Sequence, residues 1–311
     1  MILTEPPEGI EATGVRRTFG DVVAVADVDL TVPPGQVTAL VGPNGAGKTT
    51  LLLVLATLLR PDQGQVSVAG YDPVHDPISV RARMGWMPDT FGTYDTLTAR
   101  EALEFAAAAY RVPAARRSDR ARELLALVHL SEYLDRPVHV LSRGQKQRLG
   151  MARALVHDPR VLLLDEPAAG LDPRSRIELR SLLRRLAADG RAVLVSSHVL
   201  AELETTADRV VFVDRGRSVS AQTLAELPRA ERRPWRVRAL DADALLVSLD
   251  RRRVEHGPSE SSGVEVLLPD DEAAAELLAA LVHDGVPVVT CAPSGSSLEA
   301  AYLAMTTEDR R

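Results

Sequence analysis

The sequence predicts an α/β fold in which helices cover both faces of a largely parallel sheet, followed by a smaller α/β domain. Three apolar runs, at residues 161–164, 192–195 and 210–213, are continuous rather than alternating. Such runs are typical of strands that are buried on both faces of a parallel sheet. A glycine-rich turn between a strand-like and a helix-like segment, and a strand–helix alternation after residue 234, favour the same class.

The first part of the chain reads mainly as strands. Its β-branched and apolar runs lie at residues 14–19, 22–32, 37–41 and 66–69. Pro33-Pro34-Gly35 interrupts the second run and Gly70 ends the fourth, since proline and glycine punctuate regular structure. The third run enters a glycine-rich turn, after which a helix is predicted from Lys48.

The middle of the chain, residues 88–140, is rich in alanine and predicts helices. Thr98 followed by Glu101 has the spacing of a capping box, in which each residue satisfies a free backbone amide of the other. The predicted helix continues through Glu104 and Tyr110.

A domain boundary is predicted in the polar stretch 215–234. We therefore divide the chain into a domain at 1–220, a linker at 221–234 and a small α/β domain at 235–311, for which a ferredoxin-like arrangement is expected. Its predicted elements alternate as strand, helix, strand, helix, strand and helix, at residues 235–239, 242–249, 263–268, 271–283, 286–291 and 298–305.

Composition limits the class of protein. The 311 residues carry a net charge of −6, which disfavours a general nucleic-acid binder, because such proteins present a basic face. Cys291 has no second cysteine with which to form a disulfide. No apolar run approaches the ~20 residues of a membrane-spanning helix, and the N-terminal sequence lacks a signal-peptide pattern. A cytoplasmic protein is expected.

Residues 42–49 match the phosphate-binding pattern G-x-x-x-x-G-K-[ST] between a predicted strand and a predicted helix. Glycines allow successive amides to point toward anionic oxygens, and the helix N-terminus adds positive potential. Lysine is found at two positions in the chain, 48 and 146, and a compact ammonium suits this loop better than a guanidinium. The predicted nucleotide-binding residues here are Gly42, Pro43, Asn44, Gly45, Ala46, Gly47, Lys48, Thr49 and Thr50.

The alternatives to a triphosphate site are a glycine-rich turn with a chance lysine and a dinucleotide fingerprint. The glycines at 42, 45 and 47 do not have the G-x-G-x-x-G spacing of the latter. The flanking strand and helix argue against the former.

Two further motifs carry candidate chemistry. Asp165 and Glu166 end an apolar strand, where Asp165 could hold Mg²⁺ and Glu166 could orient or deprotonate water; taken alone, such a pair is equally compatible with a solvated turn. Ser142 precedes a helix with apolar positions at helical spacing, and by physical reasoning this is simply an N-cap.

In their order along the chain, these motifs resemble those of the ATPase subunits of ABC transporters. They are the phosphate loop at 42–50, Leu-Ser-Arg-Gly-Gln at 141–145, the carboxylates at 165–166, Ala-Gly-Leu-Asp at 169–172 and Ser-Ser-His at 196–198. The resemblance spans roughly residues 10–220. It implies a P-loop NTPase domain of the ABC type with a mixed sheet, a helical subdomain at about 89–140, ATP as ligand and Mg²⁺ as cofactor.

The resemblance also implies catalytic and metal-binding roles. Glu166 would activate water, His198 would contact the γ-phosphate, and Lys48 would bind the β- and γ-phosphates. Thr49 and Asp165 would hold Mg²⁺. Asp89 would be a further Mg²⁺ ligand and a residue of the catalytic centre.

Other residues are implied to bind the nucleotide from outside the phosphate loop. Phe19 would stack on adenine. Ser142, Gly144 and Gln145 would bind the ATP held by the opposite subunit of a head-to-tail homodimer, whose interface Asp172 would line.

Two positions depart from the family pattern. Arg143 replaces a signature glycine, and its side chain is expected to point to solvent or across the dimer. Asp89 stands where the family has glutamine, and a carboxylate cannot donate a hydrogen bond as an amide does. A carboxylate at this position also adds negative charge near Mg²⁺ and the phosphates.

The arrangement of one ATPase domain and a C-terminal extension resembles that of the subgroup whose members power exporters of drugs, lipids or polysaccharides. The segment Ser-Leu-Glu-Ala-Ala-Tyr-Leu at 297–303 resembles the short helix that ends many subunits of that subgroup. The expected partner is a separate membrane permease, with this chain on the inner face of the membrane. One alternative is a soluble ABC ATPase that acts on ribosomes or nucleic acid, and another is an ATP binder that hydrolyses poorly because of Asp89.

Overall fold

The computed structural model describes residues 9–90, 92, 96–199, 203–223, 233–260 and 262–294. These residues form two compact units. The large unit comprises residues up to 199 together with 206–225, and the small unit comprises 200–205 and the residues from 226 onward. Within the described residues, no helix is long and apolar enough to span a membrane.

The strands of the large unit form one sheet, whose order across the described part of the chain is β4-β1-β2-β9-β8-β3-β7-β6-β5. The pairs β8–β3, β3–β7, β7–β6 and β6–β5 are parallel, whereas β1 pairs antiparallel with β2 and β4. The strands are β1 (Ile10–Phe19), β2 (Val22–Val32), β3 (Val37–Val41), β4 (Gln63–Val68), β5 (Met84–Met87), β6 (Val161–Asp165), β7 (Ala192–Ser197), β8 (Arg209–Asp214) and β9 (Arg217–Thr223).

Helices occupy the connections between these strands. They are α1 (Lys48–Leu55), α2 (Pro77–Arg83), α3 (Ala99–Ala109), α4 (Ala114–Leu127), α5 (Arg143–Ala154) and α6 (Pro173–Ala188), with short 3₁₀ turns at Ser131–Tyr133 and Val138–Val140. The capping box predicted at the start of α3 is confirmed, because the Thr98 hydroxyl accepts from the Glu101 amide and the Glu101 carboxylate accepts from the Thr98 amide. The helix ends one residue before Tyr110.

The continuous apolar runs behave as predicted. Every residue of β3, β6 and β7 is buried, and the three strands run parallel in register, with Asp165 opposite Ser196 and Val41 opposite Ser197. Because carboxyl ends of parallel strands meet at the same edge of a sheet, the loops after β3, β6 and β7 lie side by side.

One strand lies where the sequence suggested a polar boundary. β9 pairs antiparallel with β8, and the turn between them places Arg215 and Gly216 at positive φ angles of 46° and 76°. The Gly216 carbonyl accepts from the amides of Ala26 and Asp27 at 2.6 and 3.1 Å. A Cβ on Gly216 would lie 2.8 Å from the Ala26 nitrogen, so this position needs glycine.

The small unit alternates strand and helix: β10 (Arg233–Ala239), α7 (Ala242–Arg251), β11 (Val264–Leu268), α8 (Asp271–His283) and β12 (Val288–Pro293). Its sheet order is β11-β10-β12, and β10 is antiparallel to both neighbours. Helix α8 therefore joins two mutually parallel strands that flank β10, which is the connection of a split βαβ unit. The helix expected at 298–305 lies outside the described residues.

Next to the start of β5, the half-buried side chain of His157 stacks on Tyr110 with ring centroids 3.7 Å apart. Its Nε2 lies 3.2 Å from the Met84 carbonyl oxygen, to which it donates, and its Nδ1 is buried without a partner among the described atoms. Burial lowers the pKa of His157 to about 4, because protonated Nδ1 would be a charged donor away from water.

We expect a His157→Phe variant to lose less stability on acidification than the wild-type protein. Between the unfolded pKa of about 6.5 and the folded pKa of about 4, the unfolded state binds the additional proton, so stability falls as the pH falls. From pH 7 to pH 5 this histidine costs the wild type about 2 kcal/mol, and phenylalanine, which can keep the stack on Tyr110, removes that cost. Urea unfolding at both pH values measures the difference. His129→Asn, at an exposed histidine, is the matched control, and equal losses in His157→Phe and wild type would contradict the prediction.

Candidate active site

The loop between β3 and α1 wraps tightly against neighbouring strands. Gly42 and Gly47 have no room for a side chain, since a Cβ would lie 2.1 Å from the Val213 carbonyl oxygen at position 42 and 2.3 Å from the Ala24 carbonyl oxygen at position 47. Gly47 is also the N-cap of α1 and has a φ of 102°. Residues 43–45 of the loop are exposed and lie just before the N-terminus of α1. A helix N-terminus is a favourable position for anions.

Lys48 is buried, with 7% of its surface exposed. Its Nζ donates to the carbonyl oxygens of Gly42 and Pro43 at 2.6 and 3.1 Å. Burial lowers the pKa of Lys48 below its ordinary value, although the carboxylates of Glu166 and Asp165 act to raise it. The ammonium is thus folded back onto its own loop, close to two carboxylates.

Asp165 links three elements at the end of β6. Its Oδ2 accepts from the Thr49 hydroxyl of α1 at 2.9 Å, and its Oδ1 accepts from the Ser196 hydroxyl of β7. The carboxylate is almost entirely buried. The structure thus brings the predicted metal-binding residues Thr49 and Asp165 together.

Glu166 has a left-handed backbone with a φ of 48°, which for a residue other than glycine costs of order 1–3 kcal/mol. Hydrogen bonds on both sides hold this conformation: the Glu166 amide donates to the Ser196 hydroxyl at 3.0 Å, and the Gln147 side-chain amide donates to the Glu166 carbonyl at 3.1 Å. The carboxylate lies 2.9 Å from His198 Nδ1. The two residues predicted to be catalytic are therefore in direct contact.

Sequence reasoning did not identify the supporting roles of Ser196 and Gln147. Ser196 is one of two buried hydroxyls that follow the apolar residues of β7, and Gln147 is a buried amide on α5. A buried polar side chain normally has a hydrogen-bond partner, but the identity of that partner depends on strand register and helix placement.

The motif at 141–145 forms the start of α5. Ser142 is the N-cap, and a capping box joins it to Gln145, with the Ser142 amide 2.8 Å from Gln145 Oε1. Ser142 is exposed. A Cβ on Gly144 would contact Leu171 at 3.4 Å and the Gly170 carbonyl oxygen at 3.6 Å, so this surface of the helix packs against the loop at 169–172.

Arg143 is exposed to solvent, and its stem also lies against Gly170 of the same chain. A Cβ built on Gly170 would meet Arg143 Nε at 2.9 Å. The loop after Gly170 ends at Asp172, which caps α6 by accepting from the Ser175 amide at 3.0 Å. Hydrogen bonds from Ser175 lower the pKa of Asp172 below its ordinary value.

Asp89 and Phe19 lie apart from the hydrogen bonds that join the carboxylates. Asp89 follows β5, the strand next to β6, and is exposed; no hydrogen bond or ion pair joins its side chain to another described residue. The described residues contain no cluster of three or more histidine, cysteine or acidic side chains able to hold a metal. Phe19 ends β1 with 45% of its surface exposed.

Comparison with known proteins gives consistent matches. The family model described as "ABC transporter" matches residues 25–169. The daunorubicin resistance ATP-binding protein DrrA3 of Streptomyces coeruleorubidus is 34% identical over 316 residues, covering 97% of each chain. The daunorubicin/doxorubicin resistance ATP-binding protein DrrA of Streptomyces peucetius is 34% identical over 309 residues, covering 97% of this chain and 94% of that protein.

Two solved structures extend the similarity to the fold. The ATP-binding subunit of an ABC transporter superimposes with a TM-score of 0.66 at 30% identity over 70% of this chain and 91% of that chain. A dimeric post-hydrolysis state of the ATP-binding cassette MJ0796, bound to ADP and Pi, gives a TM-score of 0.64 at 26% identity, covering 69% of this chain and 98% of that chain. With a relative of this identity aligned over nearly its whole length, the chain belongs to the ATP-binding, ATP-hydrolysing subunits of ABC transporters.

Proposed function

We propose that this chain drives export of an organic compound through a separate membrane-spanning permease, using ATP hydrolysis at the edge formed by β3, β6 and β7. The observation that carries the hydrolytic part is the contact between Glu166 and His198 beside the pair of Thr49 and Asp165. Export is supported by full-length similarity to proteins named for resistance to daunorubicin.

Glu166 is proposed to be the base for the attacking water. Its backbone is held in the left-handed conformation and its Oε1 lies 2.9 Å from His198 Nδ1, and a carboxylate held in this way can accept a proton from water. His198 holds that carboxylate in place, and its exposed ring is available to the γ-phosphate. Lys48 exchanges the carbonyls of Gly42 and Pro43 for phosphate oxygens, since these are far better partners for an ammonium.

The oxygen atoms of Thr49 and Asp165 fit Mg²⁺, because this ion prefers hard oxygen ligands and completes its shell with phosphate oxygens and water. We propose that these two residues hold Mg²⁺ together with ATP, where the ion neutralises charge on the phosphates. We also propose that the exposed Asp89, which follows the end of β5, belongs to the catalytic centre.

The chain is further proposed to close into a head-to-tail homodimer. Ser142, Gly144 and Gln145 lie at the N-terminus of α5, whose amides and exposed cap can bind the γ-phosphate held by a second copy. The dimeric state of the related cassette MJ0796 supports this arrangement. The protein would then act in the cytoplasm, at the inner membrane face, with a hydrolytic domain at 1–220, a linker at 221–234 and an accessory domain at 235–311.

Glu166→Gln is expected to lower kcat by about 10²–10⁴-fold, because the amide cannot accept the proton from water. ATP binding should persist, since Lys48 and the phosphate loop are untouched, and ATP should therefore drive a larger fraction into dimers. Phosphate release and size-exclusion chromatography with ATP measure both effects. Glu123→Gln, at an exposed glutamate of α4, is the control. A wild-type kcat in Glu166→Gln would remove Glu166 from the mechanism.

His198→Gln is expected to lower kcat by about tenfold or more while changing KM for ATP less, because the histidine orients Glu166 and meets charge that develops on the γ-phosphate. The double variant with Glu166→Gln should be little slower than Glu166→Gln, since residues acting as a unit are not additive. Steady-state kinetics of the four proteins tests this, and multiplicative losses would show that the two residues act separately.

Partner identity is tested with a tagged Glu166→Gln protein purified from detergent-solubilised membranes of its own host in ATP and Mg²⁺. We expect a multi-spanning membrane protein to copurify in fixed proportion, and to be recovered less with Glu123→Gln, which hydrolyses ATP and reopens. Recovery of ribosomes or soluble proteins in place of a membrane protein would refute the transporter assignment and favour the soluble alternative.

A further inference from the structure

At the end of β1, the aromatic ring of Phe19 contacts the side chain of Arg17. The guanidinium carbon of Arg17 lies over its ring, 4.8 Å from the centroid. Such a cation is attracted to the negative face of an aromatic ring. The cation covers one face of the ring, and 45% of the residue is nevertheless exposed, so Phe19 is accessible to a flat ligand.

Asp62 fixes the position of Arg17. Its Oδ1 accepts from the Arg17 guanidinium at 2.8 Å, and its Oδ2 accepts from both the amide and the hydroxyl of Thr18, each at 2.7 Å. The Asp62 amide in turn donates to the carbonyl oxygen of Arg16 at 2.8 Å. The hydrogen bonds from Thr18, followed by those from Arg17, lower the pKa of Asp62 below its ordinary value, so the carboxylate remains charged at neutral pH.

The contact with Arg17 restrains the Phe19 ring before a base stacks on it. An exposed phenylalanine on a strand would normally sample several rotamers, and ordering it on binding would cost conformational entropy. Here a charged and anchored neighbour restrains the ring before a ligand arrives. The cation also draws π-electron density toward its own face, which leaves the opposite face better suited to an electron-rich purine.

We propose that Arg17 is a positioning residue for the nucleotide base, which acts through Phe19 and is itself held by Asp62. This inference rests on the proposed role of Phe19 in stacking on adenine. Residues 17, 18 and 62 would then contribute to ATP affinity. They do so from the antiparallel side of the sheet, away from the carboxylates proposed to act on the phosphate.

The test compares two ligands that differ by the presence of the base, ATP and inorganic tripolyphosphate. Arg17→Met keeps an apolar stem but removes the cation, and should weaken ATP binding about two- to fivefold, the range of an exposed cation–π contact. Tripolyphosphate binding should be unchanged, and Arg17→Lys should recover part of the loss. Arg16→Met removes the same charge from the adjacent residue, for which no side-chain hydrogen bond or ion pair is found among the described residues, and should resemble wild type.

A double-variant cycle with Phe19→Ala separates the possible failures. If Arg17 acts through Phe19, Arg17→Met should have little further effect on ATP binding in the Phe19→Ala background. Weaker ATP binding in Phe19→Ala with no effect of Arg17→Met would overturn this inference and leave the stacking role intact. If Phe19→Ala does not change the ratio of ATP to tripolyphosphate affinity, the stacking role fails. Equal weakening of both ligands by Arg17→Met would assign Arg17 to the phosphates and also overturn the inference.

Discussion

The hydroxyl of Ser196 joins Asp165 and Glu166, the two acidic residues of the candidate site. It donates to the Asp165 side chain and accepts from the Glu166 amide, so one oxygen on β7 fixes both the direction of one carboxylate and the backbone turn that carries the other. This is possible because β6 and β7 are paired in register, with Asp165 opposite Ser196. An offset of one residue would turn the side chains to the other face of the sheet, and neither contact would form.

The ammonium of Lys48 is held at this edge by neutral partners rather than by a direct bond to a carboxylate. Lys48 is held by two loop carbonyls, while the Asp165 carboxylate accepts from two hydroxyls and the Glu166 carboxylate lies against an imidazole. A direct lysine–carboxylate bond would have to be broken for phosphate to bind, at the cost of leaving a buried charge unpaired. Carbonyl partners are neutral, and phosphate oxygens replace them without that penalty.

The sequence predicted what depends on local pattern. The buried strands β6 and β7 follow from continuous apolar runs, and the start of α3 from the spacing of Thr98 and Glu101, because both rules act within a few residues. β9 was not predicted, since its residues 217–223 are mostly polar and become a strand by pairing with β8. The support of Glu166 by Gln147, and the packing of the Arg143 stem on Gly170, likewise depend on how distant segments are placed. Sequence analysis identified the candidate carboxylates and histidine, whereas the contacts among them required the structure.

The two ends of the proposed nucleotide site are built on different physical principles. The phosphate end lies where parallel strands end together, so its side chains are coupled through strand register and a change in one disturbs its neighbours. The base end lies on the antiparallel strand β1, where Asp62 anchors Thr18 and Arg17 through hydrogen bonds that do not involve β6 or β7. Interactions without shared partners contribute nearly additively. Affinity for the base can therefore change by substitution at Arg17 or Asp62 without altering the geometry of Glu166 and His198, and this separates the strength of nucleotide binding from the chemistry of hydrolysis.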